Sequence, residues 1–189
     1  MDLAAQLRAF RPWNEQEERD REALLRLLEN GQAPYGREDP AHLTASAWVV
    51  SPGRDRVLLA YHNLYDSWSW LGGHADGERD LLSAALREVR EESGLEEVRP
   101  VSRDIYSVEI LTVDGHEKRG RYVSSHLHLN VTFLLEADPA APVRRKADEN
   151  SAVAWFALEE AVAASTEPWF QTRIYSKLNA RLAGYPPVR

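Results

Sequence analysis

Three glutamates, Glu88, Glu91 and Glu92, stand at i, i+3 and i+4 in a run where Leu82, Ala85, Leu86 and Val89 recur with a helical period. At about 100° per residue the carboxylates share one face of the helix and the apolar residues another. Three like charges this close repel one another and raise at least one carboxyl pKa. A hard divalent cation rewards the arrangement, because Mg²⁺ favours oxygen ligands and keeps positions for water and phosphate. A solvated acidic face is the plain alternative, with Arg87 and Arg90 at hand for local pairing. The glycine pair Gly72-Gly73, at a strand end ahead of this helix, favours the metal, since glycines let a backbone turn sharply and approach a ligand closely.

Other side chains could take part. Lys118, Arg119 and Arg121 sit in a charged loop, DGHEKRGRY, able to meet phosphates or simply to be solvated. His126 and His128 fall on one strand face by their period-two spacing. They are candidates to touch substrate or a second metal, or to be packed and hydrogen-bonded. Trp68 and Trp70 can stack a base or fill the core.

These residues need elements to position them. Asn14 and Glu17 resemble a capping box ahead of a helix whose stripe is Ala23, Leu24, Leu27 and Leu28, with Gly31 to end it. A loop from Gln32 to Pro40 follows. Extended segments are expected at 44–51 and 56–61, joined by a turn at Ser51-Pro52-Gly53-Arg54, and again at 105–113, 127–136 and 152–156. The acidic helix should run from about Asp80 to Ser93, closed by Gly94. A short helix is expected over 158–164, and a final one from Pro168 to Ala183, stopped by Gly184 and Pro186-Pro187. Helices alternating with strands, hairpins among them, indicate an α/β fold with a mixed sheet.

A chain of 189 residues suits one domain with a real core. A net charge of −7 argues against nucleic acid as partner. No apolar run approaches the roughly 20 residues of a membrane span, and the start MDLAAQLRAF has no signal-peptide pattern, so a cytoplasmic protein is expected. With no cysteine, disulfides and thiolate metal sites are excluded.

The run Arg87-Glu88-Val89-Arg90-Glu91-Glu92-Ser93-Gly94-Leu95, with Gly73 at the proper distance before it, resembles the signature of the Nudix hydrolases. Ala154-Trp155-Phe156-Ala157-Leu158-Glu159-Glu160 looks like the tryptophan strand and acidic helix that end such domains. The resemblance implies an α/β/α sandwich with a mixed β-sheet over residues 41–165. An N-terminal helical extension (1–40) precedes it, and a C-terminal helix (166–189) packs on the same domain. It also implies Mg²⁺ (or Mn²⁺) held by Glu88, Glu91, Glu92 and the Gly72 carbonyl, and hydrolysis of a diphosphate linkage in a nucleoside diphosphate derivative. Glu88, Glu92 and Glu149 are then the catalytic candidates; Glu88 and Glu149 compete as base, and the plainer reading of Glu149 is a capped surface turn. The family's first glutamate would fall at Arg79, so the resemblance gives the bracing of Arg87 to the neighbouring Glu78. The usual proline before the glycines is replaced by Leu71.

Two rivals come with the resemblance. Isopentenyl diphosphate isomerases share the fold and a Gly-His like Gly73-His74, but rely on a cysteine that this chain lacks. A non-catalytic nucleotide sensor would normally add a DNA-binding module or lose box carboxylates. The expected partner is a small nucleotide substrate, and the oligomeric state is left open, a homodimer being one option.

Overall fold

The computed structural model describes residues 2–31, 34–118, 120–147 and 149–187. Its sheet is built around two strands, β1 (Ala41–Val50) and β9 (His126–Ala137), which lie parallel with His42 opposite His128 and Ser46 opposite Thr132. Their side chains alternate between the two sheet faces. Leu43, Ala45, Ala47 and Val49, with Leu129, Val131, Phe133 and Leu135, enter one core. On the other face, Trp48, Val50 and Leu134 enter a second core, while the polar residues of the same face gather at the opposite end of both strands. A strand pair buried on both sides belongs at the centre of a sandwich.

The remaining strands add to this pair. β2 (Arg56–His62) forms the expected hairpin with β1, through a turn in which Arg54 takes φ 61°. β3 (Ser67–Ser69) pairs with β2, β4 (Leu71–His74) with β1, and β5 (Val98–Pro100) and β6 (Ser107–Val113) with β9. β10 (Asn150–Ala157) closes the far edge against β2. Among the described residues these strands make one eight-stranded mixed sheet. The charged loop holds a small separate hairpin, β7 (His116–Lys118) and β8 (Arg121–Val123), where sequence suggested only loop.

On one face lie α1 (Leu3–Ala9), α2 (Glu15–Glu29) and α3 (Leu81–Ser93); Leu3, Leu7 and Leu24 share a core with Leu81, Leu82, Ala85 and Val89. The other face carries α4 (Leu158–Ala164) and the C-terminal helical segment, which inserts Ile174, Tyr175 and Leu178. That segment is not the uniform helix expected: a π-helical turn at Phe170–Tyr175 runs into α5 (Ser176–Arg181) and a final 3₁₀ turn at Leu182–Gly184. α1, too short for a clear periodic pattern, is capped by Asp2, which accepts from Ala5 N–H at 2.7 Å. No helix among the described residues is long and apolar enough to cross a membrane.

The capping box at α2 is only half formed. Asn14 accepts from Glu17 N–H at 3.0 Å, but the Glu17 carboxylate takes the Trp13 N–H at 2.6 Å and turns inward. There it meets Lys177 Nζ at 3.0 Å and Arg181 at 2.9 Å, and Lys177 reaches Glu109 at 2.9 Å. Glu17, Glu109 and Lys177 are all essentially sealed from solvent, so they join α2, β6 and α5 through charge in a low-dielectric setting. Removing one partner of such a group strands the others uncompensated. Lys177→Met should therefore cost about 3–5 kcal/mol in urea unfolding; a change under about 1 kcal/mol would show that the two carboxylates find compensation elsewhere.

Candidate functional site

The acidic helix is held at both ends. Asp80 caps it by accepting from Leu82 N–H at 3.2 Å, and Gly94 ends it in the left-handed region at φ 69°. Burial of Leu81, Leu82, Ala85 and Val89 fixes its rotation and swings Glu88 and Glu92 towards β4, where both are largely buried. Glu92 Oε2 accepts from Gly72 N–H at 2.9 Å, and its Oε1 lies 3.4 Å from Asn150 Nδ2. Glu88 accepts from Arg87 Nη2 at 2.8 Å. Glu91, more open, is 3.2 Å from Lys146 Nζ.

The glycine pair has a different job from the turn expected of it. Gly72 and Gly73 lie inside β4, paired with Ser46 and Ala45 of β1, and neither has positive φ. The turn comes later, at Asp76 (φ 50°) and Gly77 (φ 89°). What β4 needs is absent side chains: a Cβ on Gly73 would stand 2.5 Å from the Glu88 carboxyl carbon, and one on Gly72 2.6 Å from Ser46 Cα. The helix carboxylates thus rest directly on strand backbone.

Burial is also what sets their protonation. It pushes Glu92 up to about 8, against the relief offered by Gly72 N–H, with nearby Glu88 raising it further. Burial raises Glu88 too, countered by Arg87. Two desolvated carboxylates beside a third, with Arg87 and Lys146 as counter-charges, form a hard-oxygen donor set that suits Mg²⁺ or Mn²⁺. The buried Oδ1 of Asn150, whose Nδ2 meets Glu92, has no hydrogen-bond donor among the described residues.

The bracing of Arg87 is a correction. Glu78 does not reach it; Glu78 lies in the loop two residues before the Asp80 cap, and its carboxylate accepts from the Asp80 N–H at 2.9 Å. Arg87 donates instead to the His74 carbonyl at 2.8 Å, tying the end of β4 to α3.

All of this forms one wall of a cleft of about 730 Å³. The floor is the polar end of β1 and β9: Thr44 and Ser46 donate to Asn130 Oδ1 at 3.0 and 2.8 Å, and Asn130 donates to Glu109 at 3.0 Å. Across the floor, His126 and His128 stand as expected on one strand face, and His42 and His74 join them. Burial lowers the His128 pKa to about 3 and that of His74 to about 4, so both are neutral near pH 7. Trp70 lines the cleft with Phe170 edge-on at 5.9 Å, whereas Trp68 packs on Phe156.

Lys118 and Glu149 also line the cleft, 3.7 Å apart, and Glu149 pairs with Lys146 at 2.8 Å. Arg121 is exposed on β8 and is not among the residues lining the cleft; Arg119 lies outside the described residues. Sequence reading missed Lys146, Asn150, Asn130 and His42. The alternation His42-x-Thr44-x-Ser46 and His126-x-His128-x-Asn130 in otherwise apolar strands was the available signal for the last two.

A mixed sheet between helical layers, with a carboxylate helix laid on the glycines of a strand, defines an α/β/α sandwich. The chain belongs to the NUDIX domain family, whose model matches residues 40–178. Among solved structures it is similar to a C. elegans Ap4A hydrolase binary complex (21% identity, 76% of this chain and 98% of that one, TM-score 0.52). It is also similar to the E. coli dihydroneopterin triphosphate pyrophosphohydrolase (17%, 78% and 99%, 0.55) and to the Nudix hydrolase RenU of M. smegmatis (19%, 78% and 89%, 0.54). At these identities the likeness is one of fold. No curated protein matches the sequence.

Gly73→Ala should leave the fold intact, because the flexible Glu88 carboxylate can move aside, yet cut activity by ~10-fold or more through misplacement of that carboxylate. Unchanged kcat would show that the close approach is dispensable. A second expectation concerns pH. The folded state holds a proton on Glu92 up to about pH 8 that the unfolded chain releases near its ordinary 4.5. Stability of metal-free protein should therefore fall as pH rises between those values and level off above. Thermal midpoints in chelator should show this slope, and Glu92→Gln should flatten it; equal slopes in both proteins would refute the assignment.

Proposed function

We propose that this Nudix hydrolase uses Mg²⁺ or Mn²⁺ to cleave a diphosphate linkage in a nucleoside diphosphate derivative: a nucleotide sugar, ADP-ribose, a dinucleotide or a nucleoside triphosphate. The observation that carries the reading is the convergence of Glu88 and Glu92 on Gly72-Gly73, with Glu91 beside them, at one wall of a cleft that also offers cationic and aromatic groups. Glu88, Glu91, Glu92 and the Gly72 carbonyl would hold the ion. When bound, it supplies charge neutralisation to the phosphate oxygens and activation of water.

The chain's own residues do the rest. Arg87 fixes Glu88 in place through the His74 carbonyl. Lys118 lies where it can meet a phosphate, and Trp70 with Phe170 offers a surface on which a base can stack. Glu149, carried on the loop before β10 between Lys146 and Lys118, or Glu88 would take the proton from water as its oxygen bonds to phosphorus and the bridging P–O bond breaks. Phosphoryl transfer of this kind needs positioning and charge compensation more than a covalent nucleophile, so the missing cysteine is no obstacle.

The test is product analysis on a panel that includes Ap4A and other dinucleotides, ADP-ribose, nucleotide sugars and nucleoside triphosphates, with Mg²⁺ and with chelator. Activity should appear only with metal. On whichever substrate turns over, Glu92→Gln should lower kcat by ~10²–10³, the loss typical of an electrostatic stabiliser, while the protein stays folded. Undiminished turnover by folded Glu92→Gln, or full turnover in chelator, would remove the metal from the mechanism.

A further inference from the structure

We propose that His42, His74, His126 and His128 form a second metal site, a four-nitrogen cradle for a divalent transition ion of the Zn²⁺ type, separate from the carboxylates of α3. Their ligand atoms all lie within 4.8 Å of one another. The set is assembled by strand register: His42 of β1 is opposite His128 of β9, His126 is two residues before it on the same face, and His74 pairs two residues along β1 at Thr44. The His42 ring sits at the centre, its centroid 5.0, 4.9 and 5.2 Å from those of His74, His126 and His128.

Hydrogen-bond accounting separates a metal cradle from ordinary packed histidines. His42 Nδ1 lies 2.8 Å from the Asp39 carbonyl, and His126 Nδ1 lies 2.8 Å from the Ser124 carbonyl. A carbonyl only accepts, so both Nδ1 atoms carry the proton, and in each neutral ring Nε2 is left as a lone pair. His42 is buried, and its Nε2 has no hydrogen-bond partner among the described residues. His126 Nε2 faces His128 Nε2 at 3.2 Å. With the proton of His128 on Nε2 this contact is an N–H···N hydrogen bond, and a cation can take that proton's place between the two rings.

The dimensions agree. Zn–N bonds of about 2.0–2.1 Å at a tetrahedral centre put ligand nitrogens about 3.4 Å apart. The 3.2 Å pair already has that spacing, and the wider separations close with modest ring movement. The carbonyls on Nδ1 are the outer partners that fix tautomer and orientation in such sites. Neutral imidazoles select Zn²⁺ and its neighbours over Mg²⁺, so two ions of different chemistry can be held in one cleft. Arg37, whose charge acts on His42 and His74, is engaged by Asp76, its Nε at 2.8 Å.

The experiment strips the full chain with chelator, titrates Zn²⁺ in excess Mg²⁺ to occupy the carboxylate site, desalts and counts metal. Co²⁺ serves as the geometric probe. A single equivalent of Zn²⁺ should be retained, Co²⁺ should give the strong visible bands of a tetrahedral nitrogen site, and Zn²⁺ should raise the thermal midpoint. His42→Gln and His126→Gln should each weaken Zn²⁺ by more than the roughly 10–100-fold that loss of an outer partner costs. The double variant Glu88→Gln/Glu92→Gln should keep it. Circular dichroism checks folding, and if His42→Gln fails to fold, the half-buried His126 at the strand start carries the test. No retained Zn²⁺, or Zn²⁺ lost with the glutamates but kept without the histidines, would overturn the site. Neither result depends on the substrate.

Discussion

The Glu88 and Glu92 carboxylates can leave water only because β4 has no side chains where they arrive. A carboxylate taken into a low-dielectric interior normally finds a cation or neutralises itself. Here Glu92 finds one backbone N–H, that of Gly72, and Glu88 the neighbouring Arg87. Neither arrangement discharges the burial cost, which is why both groups hold protons more tightly than usual. The rest of the molecule keeps them there. The leucines and alanines of α3 set the helix's rotation, the Asp80 and Gly94 caps set its ends, and Arg87 ties it to the end of β4.

A second buried polar system runs beneath the first. Thr44 and Ser46 share Asn130, Asn130 passes to Glu109, and Glu109 shares Lys177 with Glu17, which also holds Arg181. The cleft floor is thereby continuous with the contact between the N- and C-terminal helices. Such a network is worth keeping only when every member is satisfied, and then it fixes each rotamer it contains. The terminal helices accordingly do more than cover apolar surface, since they complete the charge balance of the floor.

How much of this can be read in the sequence depends on whether the determining contact is local. α3 with both caps, the β1–β2 hairpin, the strand before α4 and the three carboxylates on one helix face all follow from spacing within a few residues, and all are present. The glycine pair was legible as necessary, but its reason was not: a turn is a local inference, whereas contact with Glu88 spans a strand and a helix. Glu78 shows the same limit. It lies two residues ahead of the N-cap, where its carboxylate takes the Asp80 N–H, an outcome set by the loop's path and invisible in motif spacing. His42 and His74 meet His126 and His128 only through the parallel register of β1 with β9 and the antiparallel register of β1 with β4. No periodicity within one segment contains that information.

The same registers explain why the cleft opens where it does. One edge of β1 bonds to β2 at Val49 and Val50 but to β4 from Thr44 to Ala47, so the strand changes partner partway along. At the β2 end both faces are filled by apolar side chains. At the β4 end the face bearing His42, Thr44 and Ser46 has no helix over it, and α3 reaches the site across the glycines instead. Sites in α/β sheets favour places where strand connections diverge, because there the backbone cannot be covered from both sides. A ligand in this cleft lies between oxygen donors carried by a helix and nitrogen donors carried by strands. Their separation is set by strand spacing in the sheet, so moving either wall would require β1 to be re-paired.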